Sequence, residues 1–107
     1  MNEIQLKLQI PLDHPSFAGH FPGQPIVPGV MLLDEVIQAA AKHIPGWDHA
    51  SQAGLAIPVC KFLRPVLPGT SLNLTLSPGG QPGTLNFKLQ QDDQSVASGS
   101  LRLANST

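Results

Sequence analysis

Two side chains in this sequence have the chemistry of a proton-transfer pair: His20, in a loop rich in proline and glycine, and Asp34, fourteen residues later. An imidazole can accept a proton and a carboxylic acid can donate one, and burial can bring both types of group close to titration at neutral pH. The two residues are therefore candidates for a general base and a general acid. Taken singly, each has a plainer interpretation, since His20 can be a structural or solvated loop residue and Asp34 an ordinary residue of a polar helix face.

Two further groups would support such a pair. Gln38 lies one helical turn after Asp34, so its amide can hydrogen-bond that carboxylate and orient it. Gly29 stands at the predicted start of the helix, where its backbone N–H, aided by the helix dipole, would be offered to a polarised carbonyl oxygen. We also expect Asp34 to be partly desolvated, because it borders the apolar arc of the helix. Together these residues predict acid–base chemistry next to a carbonyl group.

The remaining histidines and the single cysteine are weaker candidates. His14, His43 and His49 have no metal-ligand spacing with one another or with Cys60, so we predict no metal site. His43 falls in the last turn of the predicted helix, where the dipole favours a cation and a surface position is expected. Cys60 precedes Lys61 and is either an activated thiol or a small core residue of a strand, and the second interpretation is the stronger.

A strand and a helix must position these groups. Residues 4–12 alternate strictly between apolar and polar side chains, which is the period of a half-buried strand. A loop interrupted by prolines follows. The stretch from Val30 to Ile44 contains no proline or glycine and ends before Pro45, which predicts the one long helix. Its polar residues form one narrow stripe, so we expect the helix to be mostly buried.

Four more strands are predicted downstream, separated by turn residues, in a meander-like succession. A strand and a helix followed by four strands favour an α+β fold with the helix packed on an antiparallel sheet. The chain of 107 residues has room for a single domain, residues 1–107. A domain of this size has a thin core, and we expect oligomerisation to bury additional surface. The predicted strands cover Gly54 to Leu63, Ser71 to Ser77, Thr84 to Gln90 and Gln94 to Leu103.

Composition argues against several classes of function. Six basic and seven acidic residues give a net charge of −1, which provides no electrostatic footprint for a nucleic acid or an anionic membrane as partner. A single cysteine excludes an internal disulfide and agrees with a reducing compartment. No basic region followed by an apolar stretch opens the chain, and no apolar run reaches the roughly 18 residues that a membrane helix needs. We therefore expect a cytoplasmic protein without a membrane span.

The run from Asp13 to Gln38 resembles the active-site segment of bacterial 3-hydroxyacyl-acyl-carrier-protein dehydratases of the hot-dog fold. Their pattern is His-Phe-x-Gly-x-Pro-x-x-Pro-Gly, with an acidic residue fourteen positions after the histidine and a glutamine four positions further on. Every one of these positions is filled here, beginning at His20. The segment from Lys61 to Gly69 also resembles the strand-and-turn segment of that family. The resemblance implies one long buried helix wrapped by an antiparallel sheet of about five strands.

Carried over residue by residue, the resemblance implies that His20 removes the α-proton of a 3-hydroxyacyl thioester and that Asp34 protonates the departing hydroxyl group. Gly29 N–H would polarise the thioester carbonyl, and Gln38 would support Asp34. In the family the substrate arrives on the phosphopantetheine arm of an acyl carrier protein, in a tunnel at a dimer interface, with the histidine from one subunit and the acid from the other. The resemblance implies no metal and no free cofactor.

The resemblance also leaves alternatives open. Aspartate at position 34 is typical of the branch that also isomerises the double bond, whereas the dehydratase-only branch generally has glutamate, and the loop His-Phe-Pro-Gly is closer to that second branch. The short stretch before the first strand is typical of compact members from dedicated pathways such as aryl polyene biosynthesis, so we expect a specialised role. We expect a homodimer, a higher oligomer built from dimers or a heteromer with a related protein. The competing functions are thioester hydrolysis and a catalytically silent acyl-binding or assembly partner.

Overall fold

The computed structural model of the chain describes residues 3–10, 27, 29–48 and 54–104. In this part of the chain one helix and five strands are present, in the order that the sequence predicts. The α+β class is therefore confirmed. In chain order the elements are β1 (Ile4–Gln9), α1 (Gly29–His43), β2 (Leu55–Phe62), β3 (Ser71–Pro78), β4 (Thr84–Gln91) and β5 (Gln94–Leu103).

The five strands form one antiparallel sheet in the order β1-β3-β4-β5-β2. β3, β4 and β5 are neighbours in succession, but β2 lies at the far edge and pairs with β5. The predicted meander of four strands is therefore wrong for β2. The cause is the connection 63–70, which is too long for a tight hairpin and contains Pro65 and Pro68, whose missing N–H groups cannot extend a ladder.

Alternation along the central strands decides which face of the sheet is covered. On β3 and β4 every apolar residue of one face is buried, whereas the polar residues between them are exposed or half-buried. Leu74 pairs with Leu89 and Leu89 pairs with Ala97, so the apolar side chains of three strands share that face. α1 packs on the same face through buried residues such as Leu32 and Val36. Each such aliphatic side chain contributes about 1.5–3 kcal/mol when fully buried.

α1 begins and ends within one residue of the predicted bounds. Gly46 follows it with a φ of 88°, a left-handed conformation that glycine adopts without steric cost. The helix is less buried than expected, because Val30 is 76% exposed and Leu33 and Ile37 are only half-buried. The rest of the described chain therefore covers only part of the apolar side of α1 and leaves some of its apolar side chains in contact with solvent. Within the described residues, no helix has the length and apolar character that crossing a membrane requires.

β1 is shorter than predicted. It ends at Gln9, and Leu12, which the alternation placed in the strand, lies outside the described residues. Ile10 is nevertheless fully buried, and its N–H donates to Thr70 O at 2.9 Å while its carbonyl accepts from Gly69 N at 3.0 Å. The next residue is a proline, which has no N–H with which to continue the ladder.

Candidate functional site

The start of α1 is packed against the end of β2. A Cβ built on Gly29 would lie 2.8 Å from Cζ and 3.0 Å from Cε2 of Phe62, which is closer than van der Waals contact allows. Any other residue at position 29 would therefore displace the Phe62 ring. The first N–H groups of a helix have no intrahelical partner and carry the positive end of the dipole. Glycine at this position lets the Phe62 ring lie close against the helix backbone.

A cavity of about 330 Å³ opens beside this contact. Its inner wall is formed by the buried side chains of Val27, Leu32 and Val66. Phe62, which is 49% exposed, and the exposed Arg64 lie at its mouth. An apolar wall next to a helix N-terminus suits an acyl group whose carbonyl oxygen needs a hydrogen-bond donor.

Backbone hydrogen bonds fix the walls of this cavity. Val27 N donates to Val66 O at 2.7 Å, which ties the residue before the helix to the connection after β2. Leu63 N donates to Val96 O at 2.8 Å and holds the chain just after Phe62 against β5. The cavity is thus bounded by backbone that is positioned independently of any ligand.

The carboxylate and the amide that the sequence places one turn apart are in contact. Gln38 Nε2 donates a hydrogen bond of 2.7 Å to Asp34 Oδ2, as predicted. Both side chains are exposed, so the expected partial desolvation of Asp34 is wrong for the single chain. The reason is that no other part of the described chain covers Asp34 and Gln38. Because the amide N–H is bound to Oδ2, Oδ1 is the carboxyl oxygen that Gln38 leaves open to another partner.

Gly29 and Asp34 of one chain do not face the same cavity. Five residues along a helix correspond to a rotation of about 140° around its axis. Gly29 lines the 330 Å³ cavity, whereas Asp34 and Gln38 do not. Gln38 instead borders a smaller groove of about 220 Å³ between α1 and β1. The two groups that the sequence assigned to one site thus point to different sides of their own chain.

The other sequence candidates have different outcomes. His20, His14 and His49 lie outside the described residues, so their predicted roles stay predictions. His43 is exposed in the last turn of α1, as predicted. Cys60 is half-buried on β2 and packs against the core, and this burial raises the pKa of its thiol. Its place on a strand agrees with the prediction, but Cys60 borders the core and is not one of its buried residues.

Sequence reasoning missed Phe62 and Arg64 as residues of the site. The signal for both residues was an aromatic side chain close to a basic one in the segment from Lys61 to Gly69. That segment was used only for its resemblance to a strand and a turn.

A larger open groove of about 490 Å³ lies on the opposite face of the sheet and is lined mainly by hydroxyl, amide and lysine side chains. The sheet separates it from Gly29, so it is not part of this site. Among the described residues, no three His, Cys, Asp or Glu side chains are grouped to hold a metal ion.

Comparison with known sequences gives one family. Residues 1–100 match the profile of the ApeI-like family, described as ApeI dehydratase. A stretch of 69 residues is 41% identical to a 3-hydroxyacyl-[acyl-carrier-protein] dehydratase FabZ from Thermus thermophilus and covers 61% of this chain and 49% of that protein. The chain spans about half the length of the curated relatives it matches.

Two solved structures resemble the chain over nearly its whole length. The dehydratase heterocomplex ApeI:P from Xenorhabdus doucetiae has a TM-score of 0.72 and 27% identity, covering 94% of this chain and 86% of that chain. An uncharacterised protein from Erwinia carotovora subsp. atroseptica has a TM-score of 0.71 and 32% identity, covering 94% of this chain and 81% of that chain. These likenesses agree with one helix packed on a five-stranded antiparallel sheet, and the predicted hot-dog fold is confirmed.

Proposed function

Because the chain belongs to the ApeI-like dehydratase family, we propose that it removes water from a 3-hydroxyacyl thioester on an acyl carrier protein and gives the trans-2-enoyl thioester. The reaction breaks the Cα–H and Cβ–O bonds, forms the Cα–Cβ double bond and releases one molecule of water. The FabZ proteins that resemble the chain are named for this reaction. We assign the activity to fatty acid biosynthesis or a specialised pathway such as aryl polyene biosynthesis.

Each step has a residue in the proposed mechanism. His20 removes the α-proton, and Gly29 N–H donates to the thioester carbonyl oxygen, where negative charge develops as the proton leaves. Asp34 gives its proton from Oδ1 to the departing hydroxyl group, while Gln38 holds Oδ2. These groups and the phosphopantetheine arm of the carrier supply all the chemistry, so the proposal includes no metal and no free cofactor.

The observation that carries this proposal is the cavity at the start of α1. It joins an apolar wall, which an acyl chain requires, to the N-terminus of a helix of 15 residues, which stabilises negative charge on a carbonyl oxygen. The hydrogen bond between Gln38 and Asp34 adds an oriented acid on the same helix. A binding module without turnover would need the cavity but not the oriented carboxyl group.

The position of Asp34 favours a site completed by a second chain. Asp34 is exposed and lies outside the cavity that contains Gly29 of its own chain. In a two-fold dimer the Asp34 of each chain can serve the cavity of the other, so that two equivalent sites arise. The resemblance to the dehydratases implies the same division, with His20 and the acid from different subunits.

Exposed apolar side chains supply a surface for this second chain. β2 is an edge strand of eight residues, and Ile57 and Val59 on it are 39% and 47% exposed. An edge strand presents unpaired backbone groups and is a template for pairing with another chain. Val30, at the start of α1, is a third exposed apolar side chain and flanks this edge on the helix-covered side of the sheet, opposite to the groove that Val59 lines. We propose a homodimer through this surface, or a heteromer with a related chain, since the similar ApeI:P dehydratase from Xenorhabdus doucetiae is a heterocomplex.

A single assay separates the proposed activity from its rivals. The purified chain is given a 3-hydroxyacyl thioester on an acyl carrier protein, and both enoyl absorbance and free thiol are followed. Dehydration raises the absorbance without releasing thiol. Thiol release without enoyl product would establish a thioesterase of the same fold instead, and binding without either product would establish a silent acyl-binding partner.

A further inference from the structure

Among the described residues, the Phe62 ring lies nearest to the position that a Cβ on Gly29 would occupy. We infer that Phe62 is a positioning residue of the proposed reaction and sets its specificity: the ring packs against the substrate carbons next to the carbonyl and excludes branches at that position. This inference rests on the proposed function, since it takes Gly29 N–H as the donor to the carbonyl oxygen. Phe62 lies outside the run from Asp13 to Gln38 that carries the proposed proton-transfer groups, so this role is additional to theirs.

The contact between Phe62 and Gly29 leaves no room for a Cβ on Gly29. Three ring atoms of Phe62 would lie within 3.2 Å of a Cβ on Gly29, so the ring edge already occupies the space of a methyl group. Gly29 and Phe62 line the same cavity, so a substrate whose carbonyl oxygen accepts from the Gly29 N–H would lie beside the ring. A branch on the carbon next to that carbonyl would then compete with the ring for space.

The backbone holds the ring in place. Phe62 pairs with the buried Ala97 of β5, and the next residue, Leu63, donates from its N–H to Val96 O at 2.8 Å. The ring is nevertheless 49% exposed, so half of a large apolar side chain faces the cavity mouth instead of the core. An acyl thioester that covered the ring would remove this apolar area from water, which is favourable at about 25 cal/mol per Å².

The effect of this ring on catalysis follows from its position. A substrate packed against Phe62 has fewer orientations at the Gly29 N–H, and displacement of reacting groups by about 1 Å can cost a hundredfold in rate. Removing the ring should lower kcat/KM for a straight chain and, at the same time, admit a substrate with a methyl branch at the α-carbon. A purely structural residue would change the amount of folded protein without changing the ratio between the two substrates.

The test compares Phe62→Ala and Phe62→Leu with the parent chain. The probes are pantetheine thioesters of a straight and of an α-methyl-branched 3-hydroxyacyl group, and circular dichroism checks the fold. We expect Phe62→Ala to lose at least about tenfold in kcat/KM for the straight substrate and to gain relative preference for the branched one, with Phe62→Leu intermediate. Leu67→Ala is the matched control, because Leu67 is a 59% exposed apolar residue outside the cavity, and it should behave as the parent does.

A double variant tests the contact itself. Gly29→Ala should displace the ring and reduce activity, and Gly29→Ala combined with Phe62→Ala should be no worse than Phe62→Ala alone, because the clash is absent. An unchanged substrate ratio in Phe62→Ala, or losses that simply add in the double variant, would overturn the inference while leaving the dehydratase proposal intact. A parent chain that dehydrates neither substrate, even on an acyl carrier protein, would overturn the proposed function and the inference with it.

Discussion

Gln38 and Asp34 are joined by a hydrogen bond of 2.7 Å from Nε2 to Oδ2 across one turn of α1. The bond lies within one helix and needs no second chain, so the carboxyl group is oriented before a partner or a substrate arrives. An exposed pair of this kind stabilises a helix by only about 0.2–0.5 kcal/mol. Its main consequence is therefore the direction of the acid and not the stability of the fold.

Gln38→Ala tests this orientation. The variant keeps the carboxyl group but leaves it free to rotate, so we predict that kcat falls about tenfold to a hundredfold while KM stays close to that of the parent. The control is Lys42→Ala, one turn further along the same exposed stripe, which should retain parental kcat. Equal kcat values for the two variants would show that Gln38 does not orient the acid.

Removal of either proton-transfer group should nearly abolish dehydration. We predict that His20→Ala and Asp34→Ala each lower kcat about a hundredfold to ten-thousandfold, the range that a positioned acid or base contributes. Asp34→Glu should keep part of the activity because it retains a carboxyl group. Enoyl formation measures the effect, and Glu35→Gln, which changes the neighbouring carboxylate, should be close to the parent. A folded Asp34→Ala chain with near-parental turnover would remove Asp34 from the mechanism.

Val30→Asp separates folding from association. An acidic residue in the first turn of a helix interacts favourably with the dipole, and α1 has none there, so the variant should fold at least as stably as the parent. A charge at this 76% exposed apolar position should weaken the proposed dimer and lower activity in parallel. Sedimentation velocity checks the mass, and Leu67→Asp, at another exposed apolar position, is the control. A fully active Val30→Asp dimer would place the interface elsewhere.

The Cys60 thiol should react slowly in the folded chain. Burial raises the pKa of this thiol, so at a given pH a smaller fraction is thiolate than in the unfolded chain, and the labelling rate of the folded chain rises at higher pH than that of the unfolded chain. Because the folded chain favours the neutral thiol, the contribution of Cys60 to the free energy of unfolding is present below the ordinary pKa of a thiol and is lost as the pH rises through the pKa of the folded chain. Labelling with a disulfide reagent between pH 7 and 10, with and without denaturant, measures the difference. Equal rates in the folded and unfolded chains would contradict it.

Local patterns were sufficient to predict most of the elements. Alternation located the strands, and the stretch without proline or glycine located α1, because both signals arise from neighbouring residues. The contact between Asp34 and Gln38 was predictable for the same reason, since residues four apart are neighbours on any helix.

Contacts between distant residues were not predictable in this way. The alternation of β2 is compatible with any neighbour in a sheet, so its pairing with β5 depends on how the connection 63–70 crosses to β3. The contact of Phe62 with Gly29 follows from that placement and joins residues 33 positions apart. The exposure of Asp34 was also missed, because a helical pattern identifies apolar positions without showing whether the same chain or another one covers them.

The central claim, a dehydratase site shared between two chains, is tested most directly by mixing two inactive variants. His20→Ala and Asp34→Ala chains are refolded together in equal amounts, and mass spectrometry establishes that mixed dimers have formed. In a mixed dimer one site lacks both groups and the other retains both, and random pairing makes about half of the dimers mixed, so we predict recovery of roughly a quarter of parental turnover. Mixed dimers that show no recovered turnover would contradict the account, because a site built from one chain would always lack one of the two groups.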